Sequence, residues 1–324
     1  TGTVNVQAAS ADAGVTVTPG SDALTVNLGD GADTVTGTAK ADNLTTGKGN
    51  DTIVGNDGND TVDAGAGDDT VTLGDGNNDV TLGTGADTLT AGNGNNTVTN
   101  TSGNSTVTLG NGVNSVTNTA GNMTLVTGSA IDTITNTAGN ADITSGAGND
   151  VITNTAGNST IDAGAGNDSI TLTAGNSNVD AGAGNDTIAL GSGKDTVDGG
   201  DGTDSATFSH GAGVFDSTIS NVETVTGTMT ASGTVDMDSI TGATTLKITA
   251  NDTVASLTVR DVATGTTLNV SDDLAEDASN GDIQNVTIDS ADEASLTLNV
   301  LGNQEAALVA AADIEDVVIT DVDA

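Results

Sequence analysis

AGAGNDSIT, residues 163–171, is one copy of a nine-residue unit that repeats without insertion or deletion over residues 29–204. Its fourth residue is a glycine (Gly166), its sixth is acidic (Asp168) and its eighth is aliphatic (Ile170). In nineteen of the twenty copies the eighth residue is Val, Ile or Leu. A fixed period that is maintained over this distance is the signature of a solenoid, in which each repeat stacks on its neighbours.

Each unit consists of a turn and a short strand. The Gly-rich half predicts a tight turn, because glycine adopts the positive φ angles that such turns require. The other half alternates polar and apolar residues, which is the period of a strand. One short strand cannot bury its aliphatic side chain alone, so the aliphatic column must face a second column across a thin core. The sequence therefore predicts two nine-residue units per turn of the solenoid, which is an eighteen-residue coil.

The two halves of the eighteen-residue coil differ in sequence, and we name their turns the first edge and the second edge. The sixth positions of the first edge are Asp33, Asp51, Asp69, Asp87, Ser105, Met123, Ala141, Ser159, Ser177 and Asp195. Those of the second edge are Asp42, Asp60, Asn78, Asn96, Asn114, Asp132, Asp150, Asp168, Asp186 and Asp204. All five residues that are neither Asp nor Asn are consecutive on the first edge. A period of nine alone would not produce this difference.

The unit resembles the calcium-binding GGxGxDxUx repeat of RTX proteins, as in the copies AGAGNDTIA (181–189) and GGDGTDSAT (199–207). This resemblance implies an all-β fold, a parallel β-roll with two nine-residue units per eighteen-residue coil, across residues 29–207. In that family, turn carbonyls and the sixth-position carboxylate hold calcium between neighbouring coils, and hard oxygen ligands suit this ion. Several calcium ions are therefore implied, with these ligands: Asp33, Asp42, Asp51, Asp60, Asp69, Asp87, Asp132, Asp150, Asp168, Asp186, Asp195 and Asp204.

Some turns depart from the calcium-binding pattern. The five acid-free turns of the first edge also carry Thr in place of the second-position Gly, so we predict that they bind no metal. Coils stack at about 4.8 Å, which would align their fifth-position residues into an amide ladder. That ladder would contain Asn104, Asn122, Asn140, Asn158 and Asn176. On the second edge, Thr38 and Lys40 are predicted to weaken calcium binding in the first turn, and Asn78 and Asn96 to weaken it in two later turns.

The residues that flank the repeats are predicted to form separate regions. Residues 1–28 contain three short alternating runs, in which Val17 and Val26 are already in phase with the repeat, and we predict that they form N-terminal capping coils. After residue 207 the GxGxD pattern ends, and Phe208 and Phe215 are predicted to cover the exposed end of the roll. Residues 208–324 form a β-rich assembly region, in which frequent strand-like runs fit either a second solenoid or a β-sandwich.

Composition and motifs exclude several classes of function. The chain has 45 Asp plus Glu against 5 Lys plus Arg, a net charge of −40, which excludes a nucleic-acid partner because phosphate binding needs a basic face. Cysteine is absent, so disulfides and thiol catalysis are excluded. With one His and no HExxH, GxSxG or GxxxxGK[ST] motif, we predict that the chain is not an enzyme. No stretch reaches the ~18 apolar residues of a membrane span.

The sequence predicts a structural role outside the cell. Strand sequences such as ISNVETV (219–225) resemble those that follow RTX repeats in surface-layer proteins of Gram-negative bacteria of the Caulobacter type. The two resemblances imply a chain that leaves the cell by type I secretion, folds on extracellular calcium and assembles at the bacterial surface. Its expected partners are copies of itself in a lattice, with cell-surface polysaccharide as a further candidate. The alternative is a spacer or an ice-binding segment of an RTX adhesin.

Overall fold

The computed structural model describes residues 14–250, 256–262 and 266–272, and the backbone of five further strands at residues 2–5, 285–290, 295–301, 307–310 and 316–321. The chain divides into two compact units, Thr1–Ile170 and Thr171–Ala324. Within the described residues the only helix is a 3-10 turn, η1 (Met237–Ser239). A helix long and apolar enough to cross a membrane is not found among these residues.

The first unit is a parallel β-solenoid. Its strands are β1 (Gly2–Asn5), β2 (Thr16–Val17), β3 (Leu24–Asn27), β4 (Thr34–Thr36), β5 (Asn43–Thr45), β6 (Thr52–Asn56), β7 (Thr61–Asp63), β8 (Thr70–Leu73), β9 (Asp79–Thr84), β10 (Thr88–Ala91), β11 (Thr97–Ser102), β12 (Ser105–Leu109), β13 (Ser115–Asn118), β14 (Met123–Val126), β15 (Thr133–Asn136), β16 (Ala141–Thr144), β17 (Val151–Asn154) and β18 (Thr160–Asp162). Even-numbered strands form one sheet and odd-numbered strands the other. Partners in the repeats are eighteen residues apart, as Val107 and Leu125 are, which confirms the predicted coil. The strand β19 (Ser169–Leu172) contains the boundary between the units.

The second unit is also a parallel β-solenoid. Its strands are β20 (Asn178–Asp180), β21 (Thr187–Ala189), β22 (Thr196–Asp198), β23 (Ser205–His210), β24 (Gly213–Phe215), β25 (Thr218–Ser220), β26 (Thr224–Met229), β27 (Gly233–Asp236), β28 (Thr245–Ala250), β29 (Ser256–Val262), β30 (Thr267–Asp272), β31 (Asn285–Ser290), β32 (Ser295–Leu301), β33 (Ala307–Ala310) and β34 (Asp316–Asp321). Within this unit the strands form three series, β20-β22-β25, β21-β23-β26-β28-β30-β32-β34 and β24-β27-β29-β31-β33. The strand pairs that follow residue 207 in the described chain are parallel, so the β-rich region continues as a solenoid and not as a sandwich.

The predicted aliphatic column forms the core of the repeats. Its nineteen residues, one every ninth position from Val35 to Val197, are at most 2% exposed. The residues at the first and sixth positions of the units are buried beside this column, while those at the seventh position mostly face solvent. The core is therefore one aliphatic layer per strand, and the polar turn residues at its two edges are buried along with it.

Glycine at the fourth position allows the coils to stack closely. Gly166 has a φ of 148°, and a Cβ at this residue would overlap the carbonyl oxygen of Gly148 in the preceding coil. Only glycine adopts this backbone conformation without strain. Ala130, which replaces this glycine in one turn, is held at a φ of 101°.

The prediction that Phe208 and Phe215 cover the end of the roll is wrong. Phe208 and Phe215 stack with ring centroids 4.0 Å apart, but β23, which contains Phe208, continues to pair with β26 and then β28. Gly227 of β26 lies opposite Phe208, where a Cβ would overlap the ring, so the neighbouring coil accommodates the aromatic side chain. Parallel pairing needs only backbone donors and acceptors and an alternating strand, so the solenoid continues where the repeat motif ends. The domain limits at residues 28 and 207 remain predictions.

Candidate metal centres

The sixth-position aspartates lie at the point where each turn enters its strand. All twelve predicted ligands are at most 3% exposed. Oδ1 accepts a backbone N–H from the preceding coil in eleven of them, as Oδ1 of Asp51 does from Asp33 at 2.7 Å and Oδ1 of Asp150 from Asp132 at 2.7 Å. One oxygen of each of these carboxylates is therefore used to hold neighbouring coils in register.

The second carboxylate oxygen of nine of these aspartates accepts no hydrogen bond from the described residues. Within the described part of the chain, Oδ2 is buried and accepts no hydrogen bond in Asp33, Asp51, Asp60, Asp69, Asp87, Asp132, Asp150, Asp195 and Asp204. Burial of an ionised carboxylate without a partner is costly, and such groups are paired or coordinate a metal. Oxygen atoms in a carbonyl-rich turn are the ligands that calcium prefers. These residues fit a calcium ion, whose bound charge would neutralise the buried carboxylates.

Asp42 differs from the other predicted ligands. Thr38, which replaces the second-position Gly of this turn, donates its backbone N–H to Oδ2 of Asp42 at 2.6 Å and its hydroxyl to Oδ1 at 3.0 Å. The exposed Lys40 ammonium pairs with Asp22 at 3.1 Å and does not enter the turn. Asp42 therefore already has donors for both oxygens, which reduces the gain from a bound cation.

Burial raises the pKa of seven of the sixth-position aspartates. Desolvation is the largest cause, and it raises the pKa of Asp60 to about 6 and that of Asp69 to about 7. The pKa is raised for the same leading reason in Asp51, Asp87, Asp150, Asp195 and Asp204. Without a cation, these carboxyls of the folded protein therefore bind protons at a higher pH than they do in the unfolded chain.

We expect the calcium-free protein to be more stable at about pH 5 than at about pH 8. The folded-state pKa values lie above the unfolded value, so the folded state binds more protons and its stability falls as pH rises through the window from about 4 to about 7. Far-UV circular dichroism of protein stripped of calcium, recorded as a function of pH, would measure this as the change in folded fraction. Asp69→Asn should reduce the pH dependence, whereas Asp68→Asn, at the exposed neighbour whose charge is a minor cause of the raised pKa, should reduce it less. Equal stability at both pH values would contradict the prediction.

A buried asparagine ladder lies at the first position of the acid-free turns. Nδ2 of Asn100, Asn118 and Asn136 each donates to Oδ1 of the Asn in the next coil, all at 2.7 Å, and the ladder ends at Asn154. All four residues are fully buried. Sequence reasoning missed them, although a polar residue that recurs every eighteen positions at a core site was the available signal.

The predicted exposed ladder has a different bonding pattern. Asn104, Asn122, Asn140 and Asn158 are aligned in the first unit, as expected. Each Oδ1 accepts the backbone N–H of the next Asn, at 3.2, 3.0 and 2.9 Å along the row. The row therefore links coils through side-chain to backbone bonds, and the amide-to-amide ladder is the buried one.

Comparison with known proteins identifies the repeat. The family model of the RTX calcium-binding nonapeptide repeat (four copies) matches residues 28–62, 36–71, 46–80, 72–107, 135–170, 144–179 and 173–206, together a little under half of the chain. No curated protein and no solved structure matches the chain. The chain thus contains RTX nonapeptide repeats, which bind calcium and are typical of secreted proteins, and calcium is its cofactor.

Proposed function

We propose that the chain is a secreted structural protein, without catalytic activity, whose repeats fold on extracellular calcium and which packs against copies of itself in a bacterial surface layer. The observation that carries the proposal is the series of buried Oδ2 atoms that accept no hydrogen bond from the described residues. A protein with these carboxylates is poorly stable where calcium is scarce, as inside a cell, and becomes stable where calcium is abundant. Such a chain can be exported by type I secretion while unfolded.

A surface with few charges supports self-association. In a chain of net charge −40, other faces repel a second copy until cations neutralise them. Along the acid-free turns of the first edge there is an open groove of about 300 Å³, lined largely by uncharged side chains that include Asn104, Asn122, Met123 and Asn140. The amides of this groove can hydrogen-bond another copy of the chain or the hydroxyls of a surface polysaccharide.

We expect ordered sheets to form when purified protein is given millimolar calcium, as observed by negative-stain electron microscopy. Calcium both completes the fold and reduces the repulsion between molecules. Magnesium should substitute poorly, because it demands a tighter octahedral arrangement than carbonyl-rich turns provide. Isolated rods in calcium, or equal sheets in magnesium alone, would contradict the surface-layer proposal.

A spacer or ice-binding segment of an adhesin is the second candidate. One sheet of the first unit carries a row of exposed threonines, paired in register along the solenoid. The row contains Thr34, Thr52, Thr70, Thr88, Thr106 and Thr124. A regular hydroxyl array of this kind can order water. Rods together with thermal hysteresis would favour this candidate, whereas sheets without hysteresis would favour the lattice.

A further inference from the structure

Three turns of the second edge carry Asn at the sixth position, and their amide groups bond the turn itself. Nδ2 of Asn114 donates to the carbonyl oxygens of Gly112 at 2.9 Å and Gly110 at 3.3 Å. Asn96 bonds the carbonyls two and four residues before it, at 3.1 and 3.4 Å. Asn78 bonds the carbonyl two residues before it at 3.3 Å, and Nδ2 of Asn78 and of Asn96 also donate to Oδ1 of the Asn in the next coil, at 2.9 and 3.1 Å. In these turns, carbonyls that face the sixth position have a donor from the protein.

The amide nitrogen of these residues replaces the second carboxylate oxygen of an Asp turn. Asn and Asp have the same shape, and Oδ1 is used alike in both: Oδ1 of Asn114 accepts the backbone N–H of Asn96 at 3.1 Å, just as Oδ1 of Asp132 accepts that of Asn114 at 2.7 Å. In Asp132 the second oxygen accepts no hydrogen bond from the described residues, whereas in Asn114 the corresponding atom is a donor. In the Asn turns, an amide N–H group therefore satisfies the turn carbonyls, whereas in the Asp turns a bound cation must satisfy the oxygens.

In the acid-free turns of the first edge, an Asn at the first position donates to a turn carbonyl instead. Nδ2 of Asn118 donates to the carbonyl oxygen of Gly121, and that of Asn136 to the carbonyl of Gly139, both at 2.9 Å. These carbonyls are again at the fourth position of their turns. The sixth position no longer needs a ligand there, and it holds a small or apolar residue instead.

Turns of the two kinds are consecutive in the middle of the first unit. In chain order, the turns at residues 91–96, 100–105, 109–114 and 118–123 all carry an Asn in one of these two places, and in the turn at 100–105 the Asn100 amide donates to Asn118 of the next coil. We call residues 91–126, which contain these turns and the strands β11 to β14, the amide-locked segment. Asp turns lie on both sides of it, at Asp87 and Asp132. The matches to the calcium-repeat family stop at residue 107 and resume at residue 135, so the gap overlaps this segment.

We infer that the amide-locked segment keeps its stacked structure without calcium and serves as the template on which the calcium-dependent coils fold. The inference rests on the proposed calcium-dependent folding and adds that Asn78, Asn96 and Asn114 decide which turns of the second edge take no ion. In a solenoid, stability is the sum of the coils and their interfaces, and a formed coil presents its strands to the next one. A segment with satisfied turns in the middle of the repeats lets coils add on both sides once calcium binds.

Hydrogen exchange of the calcium-free full-length protein, followed by mass spectrometry, tests the inference. Peptides within residues 91–126 should exchange at least about tenfold more slowly than peptides within residues 28–70 and 178–206. Addition of calcium should then protect the flanking repeats. Absence of protection in residues 91–126 would overturn the inference and leave calcium-dependent folding intact. Full protection of all repeats without calcium would instead overturn the proposed function.

Matched substitutions distinguish the effect of the amide hydrogen bonds from a general effect of added charge. Asn114→Asp should remove the calcium-free protection of its turn and add calcium binding, measured as bound ions by native mass spectrometry. Asn111→Asp adds the same charge at an exposed position of the same turn, where Oδ1 already accepts the backbone N–H of Ser129 at 3.0 Å, and should change neither. The same outcome for both variants would overturn the inference.

The reverse substitution, Asp to Asn, tests whether an amide at the sixth position stabilises the calcium-free turn. Asp132→Asn should lose a calcium ion and slow exchange of its turn in the calcium-free protein, because the new amide can bond the turn carbonyls. Asp132→Ala should lose the ion without slowing exchange. If the Asn variant is not more protected than the Ala variant, the amide does not replace the cation and the inference fails.

Discussion

Removal of calcium is expected to abolish most of the strand content of the repeats. The sixth-position carboxylates are buried with one oxygen that lacks a donor among the described residues, and the core beside them is a single aliphatic layer. A ligand at a hundred times its Kd stabilises the folded state by about 2.7 kcal/mol per site, so the loss of several ions exceeds the stability of an ordinary domain, about 5 to 15 kcal/mol. Far-UV circular dichroism during a calcium titration of chelator-treated protein would measure the change.

The calcium titration also has an internal control. Because each coil contacts its neighbours, recovery of the strand signal should be cooperative in calcium, and magnesium at the same ionic strength should give little recovery. The amide-locked segment should leave a minor strand signal at zero calcium. A strand spectrum that does not change on chelation would show that the buried carboxylates are tolerated without a cation.

Asn136→Asp is expected to destabilise the calcium-loaded protein by about 3 to 5 kcal/mol, the usual cost of an uncompensated buried charge. Nδ2 of Asn136 donates to Oδ1 of Asn154 at 2.7 Å and to the carbonyls of Gly139 at 2.9 Å and Ala156 at 3.2 Å. Aspartate would place an oxygen against these three acceptors in a fully buried site. Denaturant unfolding in calcium would measure the difference.

Asn140→Asp is the control for the buried substitution, because it adds the same charge four residues later in the same turn. Asn140 is exposed, and its Oδ1 accepts the backbone N–H of Asn158 at 2.9 Å, an interaction that aspartate retains. Its effect should be within about 0.5 kcal/mol, as for other surface substitutions. Equal effects of the two variants would mean that the buried ladder does not stabilise the coil. Acidic pH should reduce the effect of Asn136→Asp, since protonation removes the charge.

The repeat alone determined the coil, the core and the class of ligand. A period of nine places an aliphatic residue at the same point of every strand, and the divergence of alternate units requires eighteen residues per coil. These properties follow from spacing along one chain, because stacked coils bring equivalent positions together whatever the details of the side chains. The acid-free turns on the first edge were recognisable for the same reason.

The tertiary structure decided which atoms meet. Spacing does not reveal that one oxygen of Asp150 accepts a backbone N–H from Asp132 while the other has no donor in the described residues, nor that the hydroxyl and N–H of Thr38 satisfy Asp42. Spacing also did not show that the amide of Asn114 bonds carbonyls of its own turn. From the sequence alone, Asn114 differed from the aspartates only by its missing charge. Such differences depend on the direction of a side chain across two stacked coils, and that direction is set by backbone geometry and by the partners available eighteen residues away. For the same reason only parallel pairing in the second unit decided between a solenoid and a sandwich after residue 207.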